Sequence, residues 1–128
     1  MRQDVLPSNR FEDYSVDLCV VATQLNHSKR IIFCKHQLPP PPDDPRCLYE
    51  TEISISDSVA ASVSLPPIFS PYGIKNKNGK IIYFFDGEIR ETLSVNAAEQ
   101  LGADLIISSY THQPYHFSRE VGSLTKFG

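Results

Sequence analysis

Lys80-Ile81-Ile82-Tyr83-Phe84-Phe85-Asp86-Gly87 sets five apolar residues, β-branched and aromatic, ahead of a carboxylate and a glycine. Such a run predicts a strand, and Asp-Gly predicts its end. Just before it, Asn76-Lys77-Asn78-Gly79-Lys80 is a hairpin signal, with Asn-Gly expected to supply the two positive-φ positions of a type I′ turn. Lys75, Lys77 and Lys80 read as charges that solvate the turn tip. Just after it, Thr92 or Ser94 is placed to cap a helix whose Leu93, Ala97, Ala98 and Leu101 share one face. Gly102 is placed to end that helix. Asp104-Leu105-Ile106-Ile107-Ser108-Ser109 then predicts a buried strand, so strand, helix and strand read as a right-handed βαβ unit.

Upstream, Val16-Asp17-Leu18-Cys19-Val20-Val21-Ala22-Thr23 and Arg30-Ile31-Ile32-Phe33-Cys34 predict two strands. They are joined as a hairpin across Asn26-His27-Ser28. Pro39 to Pro42, followed by Asp43-Asp44-Pro45, predicts a stiff loop in local polyproline II conformation, because proline fixes φ and lacks an N–H. Glu52 to Ser56 alternates as a short strand or the approach to a helix, with Ser56 or Asp57 as its N-cap. Val59-Ala60-Ala61-Ser62-Val63-Ser64-Leu65 reads as a helix small enough to sit close against a sheet, and Pro66-Pro67 stops it. Residues 1–15 read as an irregular leader and residues 111–128 as an irregular or truncated tail. The expected core is Leu18, Val20, Ile31, Phe33, Ile82, Phe84, Leu101, Leu105 and Ile107.

Composition narrows the functional classes. The 128 residues suit one domain. With 12 basic and 15 acidic side chains the net charge is −3, which gives no field to gather nucleic acid. No window reaches the about 18 apolar residues of a membrane span, and the N-terminus lacks a signal-peptide core. A soluble protein is expected, in the cytoplasm or peripheral to membranes. Cys19, Cys34 and Cys47 form no C-x-x-C pair and read as reduced, inert thiols. His112 and His116 are four apart, but Pro114 interrupts the helix that metal binding would need. His27 and His36 have no carboxylate cluster beside them in sequence. Neither a metal nor another cofactor is expected.

Asp86 is the candidate catalytic carboxylate, because ligands of α/β sheets gather outside the carboxyl ends of strands and a carboxylate there can act as a general base. Ser62 and Ser64 lie in the small-residue helix and are expected to bond to helix carbonyls.

The order of these segments resembles the C-terminal half of patatin-like phospholipases. The resemblance rests on Ala61-Ser62-Val63-Ser64-Leu65-Pro66, Phe69-Ser70-Pro71, Asp86-Gly87-Glu88 and Gly102-Ala103-Asp104. Val20-Val21-Ala22-Thr23-Gln24-Leu25 is similar to the family's A-T-D-L strand end, with Gln24 in place of its Asp. The likeness covers residues 16–110. It implies a partial patatin-like α/β sheet with flanking helices, and a lipid acyl hydrolase working through a Ser-Asp dyad. Asp86 takes the position of the base, with Gly87 and Glu88 adjacent. The family's triplet is D-G-G or D-G-A, and its usual proline is Ser94 here. The resemblance implies a lipid acyl ester as substrate. No glycine frames a G-x-S-x-G elbow and no glycine cluster offers an oxyanion hole. The chain is therefore expected to be a fragment, inactive alone, completed by a missing N-terminal half. The alternative is a catalytically dead scaffold that binds or assembles, for example as a homo-oligomer through an exposed sheet edge.

Overall fold

The computed structural model describes residues 6–27, 29–87 and 95–109. They form a mixed α/β arrangement of five strands and two helices. The strands are β1 (Val20–Gln24), β2 (Lys29–Phe33), β3 (Cys47–Glu50), β4 (Tyr72–Lys75) and β5 (Ile81–Asp86), and the helices are α1 (Ile55–Ser62) and α2 (Asn96–Gln100). The sheet order is β3-β2-β1-β5-β4. β1 runs antiparallel to β2 and β5, β5 antiparallel to β4, and β2 parallel to β3.

Alternation along the strands divides the sheet into two faces. Ala22, Ile31, Phe33, Ile74 and Phe84 form one core with Ile55 and Ala61 of α1 and with Phe11. The Phe33 and Phe84 rings meet edge to face at 5.6 Å. Ile32, Cys34, Cys47 and Tyr49 form the opposite core with Ala97 of α2, where the Tyr49 hydroxyl donates to Gln100 Oε1.

Each hairpin forms where the turn chemistry lies. Asn26 takes φ 74° between β1 and β2, a left-handed conformation asparagine tolerates. The β4–β5 turn differs from type I′, because only Gly79 has positive φ. Asn76 shapes it instead, its Oδ1 accepting from the N–H groups of Asn78 at 3.0 Å and Lys80 at 2.9 Å.

The α1 helix starts earlier than its sequence suggests. Ser54, not Ser56 or Asp57, is the N-cap, its Oγ accepting from the Asp57 N–H at 3.2 Å. Asn9 satisfies two further N–H groups, its carbonyl accepting from Ile55 at 3.0 Å and its side chain from Ser56 at 2.8 Å. The irregular segment 6–15 is thereby tied to the helix, and its Phe11 is buried.

Because β2 and β3 are parallel, the chain between them must travel back along the sheet. The proline-rich loop makes this crossover. Arg30, 1 % exposed in its side chain, pairs with Asp44 of the loop at 2.7 Å. Asp44 N–H donates to Pro41 O and Asp44 O accepts from Cys47 N–H, both at 3.1 Å.

Four members of the expected core lie outside it, among them Leu101, half-buried at the end of α2 and part of neither cluster. Leu18 is 39 % exposed, because the strand begins only at Val20. Lys35 Nζ donates to the carbonyls of Tyr14, Ser15 and Val16, and Asp17 pairs with Lys35 and His36, which holds this stretch out of the ladder. Leu105 and Ile107 are 77 % and 86 % exposed. Residues 104–109 are not a strand, so no βαβ unit forms among the described residues. An apolar run becomes a strand only with a neighbour to pair with, and the five-stranded sheet does not include this one. Gly102 ends α2 with φ 84° as expected. Glu88, Thr92, Leu93, Ser94, His112, His116 and the 111–128 tail lie outside the described residues.

Candidate functional site

Asp86 is the last residue of β5 and stands opposite Ala22. Ala22 faces the α1 core, so pairing puts Asp86 on the same side of the sheet. The residue is half-buried. Its N–H donates at 3.0 Å to the carbonyl of Ser64, just beyond α1.

Gly87 is buried for a different reason than a turn would require. A Cβ there would lie 2.7 Å from the Val21 carbonyl oxygen and 2.9 Å from Val21 Cγ1. The glycine thus serves close approach of two backbones. The same Val21 oxygen accepts the Ser62 hydroxyl at 2.7 Å, so β1, the end of α1 and the end of β5 meet at one atom.

The two serines of the small-residue helix have structural roles. Ser62 Oγ–H is spent on Val21 as just described, and Ser64 Oγ–H donates to Ala60 O at 2.8 Å. The expectation of bonding to the helix's own carbonyls holds for Ser64; Ser62 reaches across to the sheet. No elbow turn presents either hydroxyl to a substrate.

A cleft of about 410 Å3, within the size range of small-molecule sites, opens on the same face of the sheet as Asp86, which is not one of its lining residues. Ile31, Phe33, Leu48, Ile74, Ile82 and Phe84 give it an apolar floor, and Gln24 lines it too. The Lys77–Glu52 ion pair, 2.6 Å long, joins two of its lining residues from the β4–β5 turn and the β3–α1 connection. Asp86 follows Phe84 on the same face, about 7 Å further along the strand.

The structure also brings together residues that the sequence reading kept apart. Cys19 packs against the buried cluster that holds Cys34, one step beyond the last β1–β2 pair, Val20↔Phe33. The neighbouring Cys19 thiol, aided by the backbone and charge of His36, brings the Cys34 thiol down to about 7 against the opposing effect of burial. The same contact, burial next, pushes the Cys19 thiol up. Asp17 lies 2.7 Å from His36 Nε2 and 3.1 Å from Lys35 Nζ. These two hydrogen bonds, His36 first, lower its carboxyl below the ordinary value. The pairing was legible in principle, because a hairpin turning at Asn26-His27 sets residues 19 and 34 opposite each other.

Against known proteins, the chain matches no family model and no solved structure.

Proposed function

We propose that this chain carries the base-bearing half of a patatin-like lipid acyl hydrolase, with Asp86 as the base. The serine nucleophile and the oxyanion-hole glycines would come from a segment that this sequence does not contain. The observation that carries the reading is the junction at the Val21 carbonyl. It ties the small-residue helix to the Asp-Gly strand end, the two motifs on which the resemblance rests. A dyad needs its carboxylate held within hydrogen-bond reach of the serine, and a carboxylate whose own backbone is bonded to the adjacent Ser64 carbonyl is suited to that. The apolar cleft on the same face suits an acyl chain. The exposed Leu105 and Ile107 suit a surface that further chain would cover.

In this mechanism Asp86 accepts the proton of the incoming serine as its oxygen attacks the acyl carbonyl. Backbone N–H groups of the completing segment stabilise the oxyanion. Asp86 then returns the proton to the leaving alkoxide, and the acyl-enzyme is released by water. Hydrolysis of a short-chain nitrophenyl ester by an upstream-extended polypeptide bearing G-x-S-x-G tests the assignment. Asp86→Asn is expected to lower kcat about 10²- to 10⁴-fold. Equal turnover of both proteins would remove Asp86 from the mechanism, and turnover by the 128-residue chain alone would reveal a nucleophile within it.

A catalytically silent binding or assembly scaffold is the second reading. Gln24 at the family's Asp position and the commitment of both Ser62 and Ser64 hydroxyls to backbone favour it. An inactive extended protein that forms a stable homo-oligomer would select this reading.

A further inference from the structure

We propose that Cys19 and Cys34 are a redox-responsive pair that closes reversibly into a cross-strand disulfide when the protein meets a small hydroperoxide. This does not depend on the role of Asp86.

The geometry comes from the β1–β2 ladder. Its outermost pair is Val20↔Phe33, so the next step outward sets Cys19 opposite Cys34. Both sulfurs lie on the α2 side, packed with Ile32 and Val21. Directly opposed residues of antiparallel strands have Cα atoms about 4.5–5.5 Å apart, inside the span of about 4.4–6.8 Å that a disulfide bridges. Both side chains belong to one packed cluster and lie one step beyond the paired Val20 and Phe33, so bond formation requires little movement of the strands. Cys47 is buried in the same cluster but stands on β3 opposite Arg30, off the Cys19–Cys34 axis. It is the internal control.

The surroundings favour reaction at this pair. Cys19 is half-buried and provides the solvent side, with Cys34 behind it. Cys34 lies 3.1 Å from the His36 carbonyl, while Asp17, Lys35 and His36 cluster outside and Tyr49 lies within the sheet beside Cys47. The contact between the two sulfurs lowers one thiol and raises the other, so the pair releases its first proton more readily than an isolated thiol and supplies the attacking thiolate.

The chemistry balances with a hydroperoxide as the oxidant. The thiolate attacks the terminal oxygen, the O–O bond breaks and an alkoxide or hydroxide leaves, giving a sulfenic acid. The second thiol attacks that sulfur, the S–O bond breaks, and water departs with the thiol's proton. Two thiols and one hydroperoxide become one disulfide, one alcohol or water, and one further water. Two electrons pass from sulfur to oxygen. An external dithiol reverses the change.

The test exposes the reduced 128-residue chain to hydrogen peroxide near neutral pH, quenches it with N-ethylmaleimide and maps the peptides. The expected product takes up one maleimide, at Cys47, and contains a Cys19–Cys34 linked peptide that dithiothreitol abolishes. Closure is expected to be at least about tenfold faster in the folded chain than in urea, because the fold holds the thiols together. Cys47→Ser is expected to keep the linkage, and Cys19→Ser to lose it. Full alkylation of Cys19 and Cys34 after peroxide, linkage through Cys47 or between chains, or equal rates in urea would each overturn the proposal. The wild-type peptide map decides even if a variant fails to fold.

Discussion

A single hydrogen atom at Gly87 sets how closely two strand ends approach. Its replacement by a methyl group meets the Val21 carbonyl, a backbone atom that cannot turn aside as a side-chain tip would. Gly87→Ala is expected to destabilise the fold by about 1–3 kcal/mol, read as a lower urea midpoint with an unchanged slope. An unchanged midpoint would mean that the strand ends separate freely. At this scale the sequence was partly legible. Asp86 stands at a strand end, as the apolar run before it predicts. Asp-Gly reads as turn chemistry, yet the glycine is needed for contact between residues far apart in sequence, which no local pattern records. The thiol pair, by contrast, was implicit in the predicted hairpin, whose register sets residues 19 and 34 opposite each other.

Among the elements, those with a partner close by in the chain were legible. Both hairpins follow from their asparagines, glycines and flanking apolar runs. Residues 16–18 and 104–109 carry strand-like sequence without a strand, because pairing depends on a neighbour as well as on propensity. The proline-rich segment announced stiffness but not direction, so the parallel β2–β3 pairing was invisible beforehand. Its anchor is the Arg30–Asp44 pair, and the 1 % exposure of Arg30 against 15 % for Asp44 makes it a mainly buried one. Removing Asp44 takes a close carboxylate away from the enclosed Arg30 guanidinium, so Asp44→Ala is expected to cost about 1–3 kcal/mol. Replacing both, as Arg30→Met with Asp44→Leu, is expected to recover most of that loss. Thermal unfolding of the three variants checks this, and a double replacement as damaging as the single one would contradict it.

For the whole molecule, alkaline pH tests how α2 is held to the sheet. Burial, followed by the neighbouring Cys47, Cys19 and Cys34 side chains, pushes the Tyr49 hydroxyl up to about 12. The unfolded chain releases that proton near pH ~10. The folded state therefore holds the proton more tightly, and its stabilising contribution is complete below pH ~10 and lost as pH rises to about 12. Urea midpoints measured from pH 9 upward are expected to fall across that window, with a shallower fall in Tyr49→Phe; an identical fall in both proteins would assign the effect elsewhere. The strand order β3-β2-β1-β5-β4 has one more consequence. The early hairpin is a wedge driven between two pieces of later chain, with β3 on one flank and β5 on the other. The later portion owns no continuous sheet: without the wedge, β3 and the β4–β5 ribbon have nothing between them to grip. Assembly is thus a mutual commitment of both portions, and a cut in the proline crossover would leave two interlocked pieces, each serving as the template for the other.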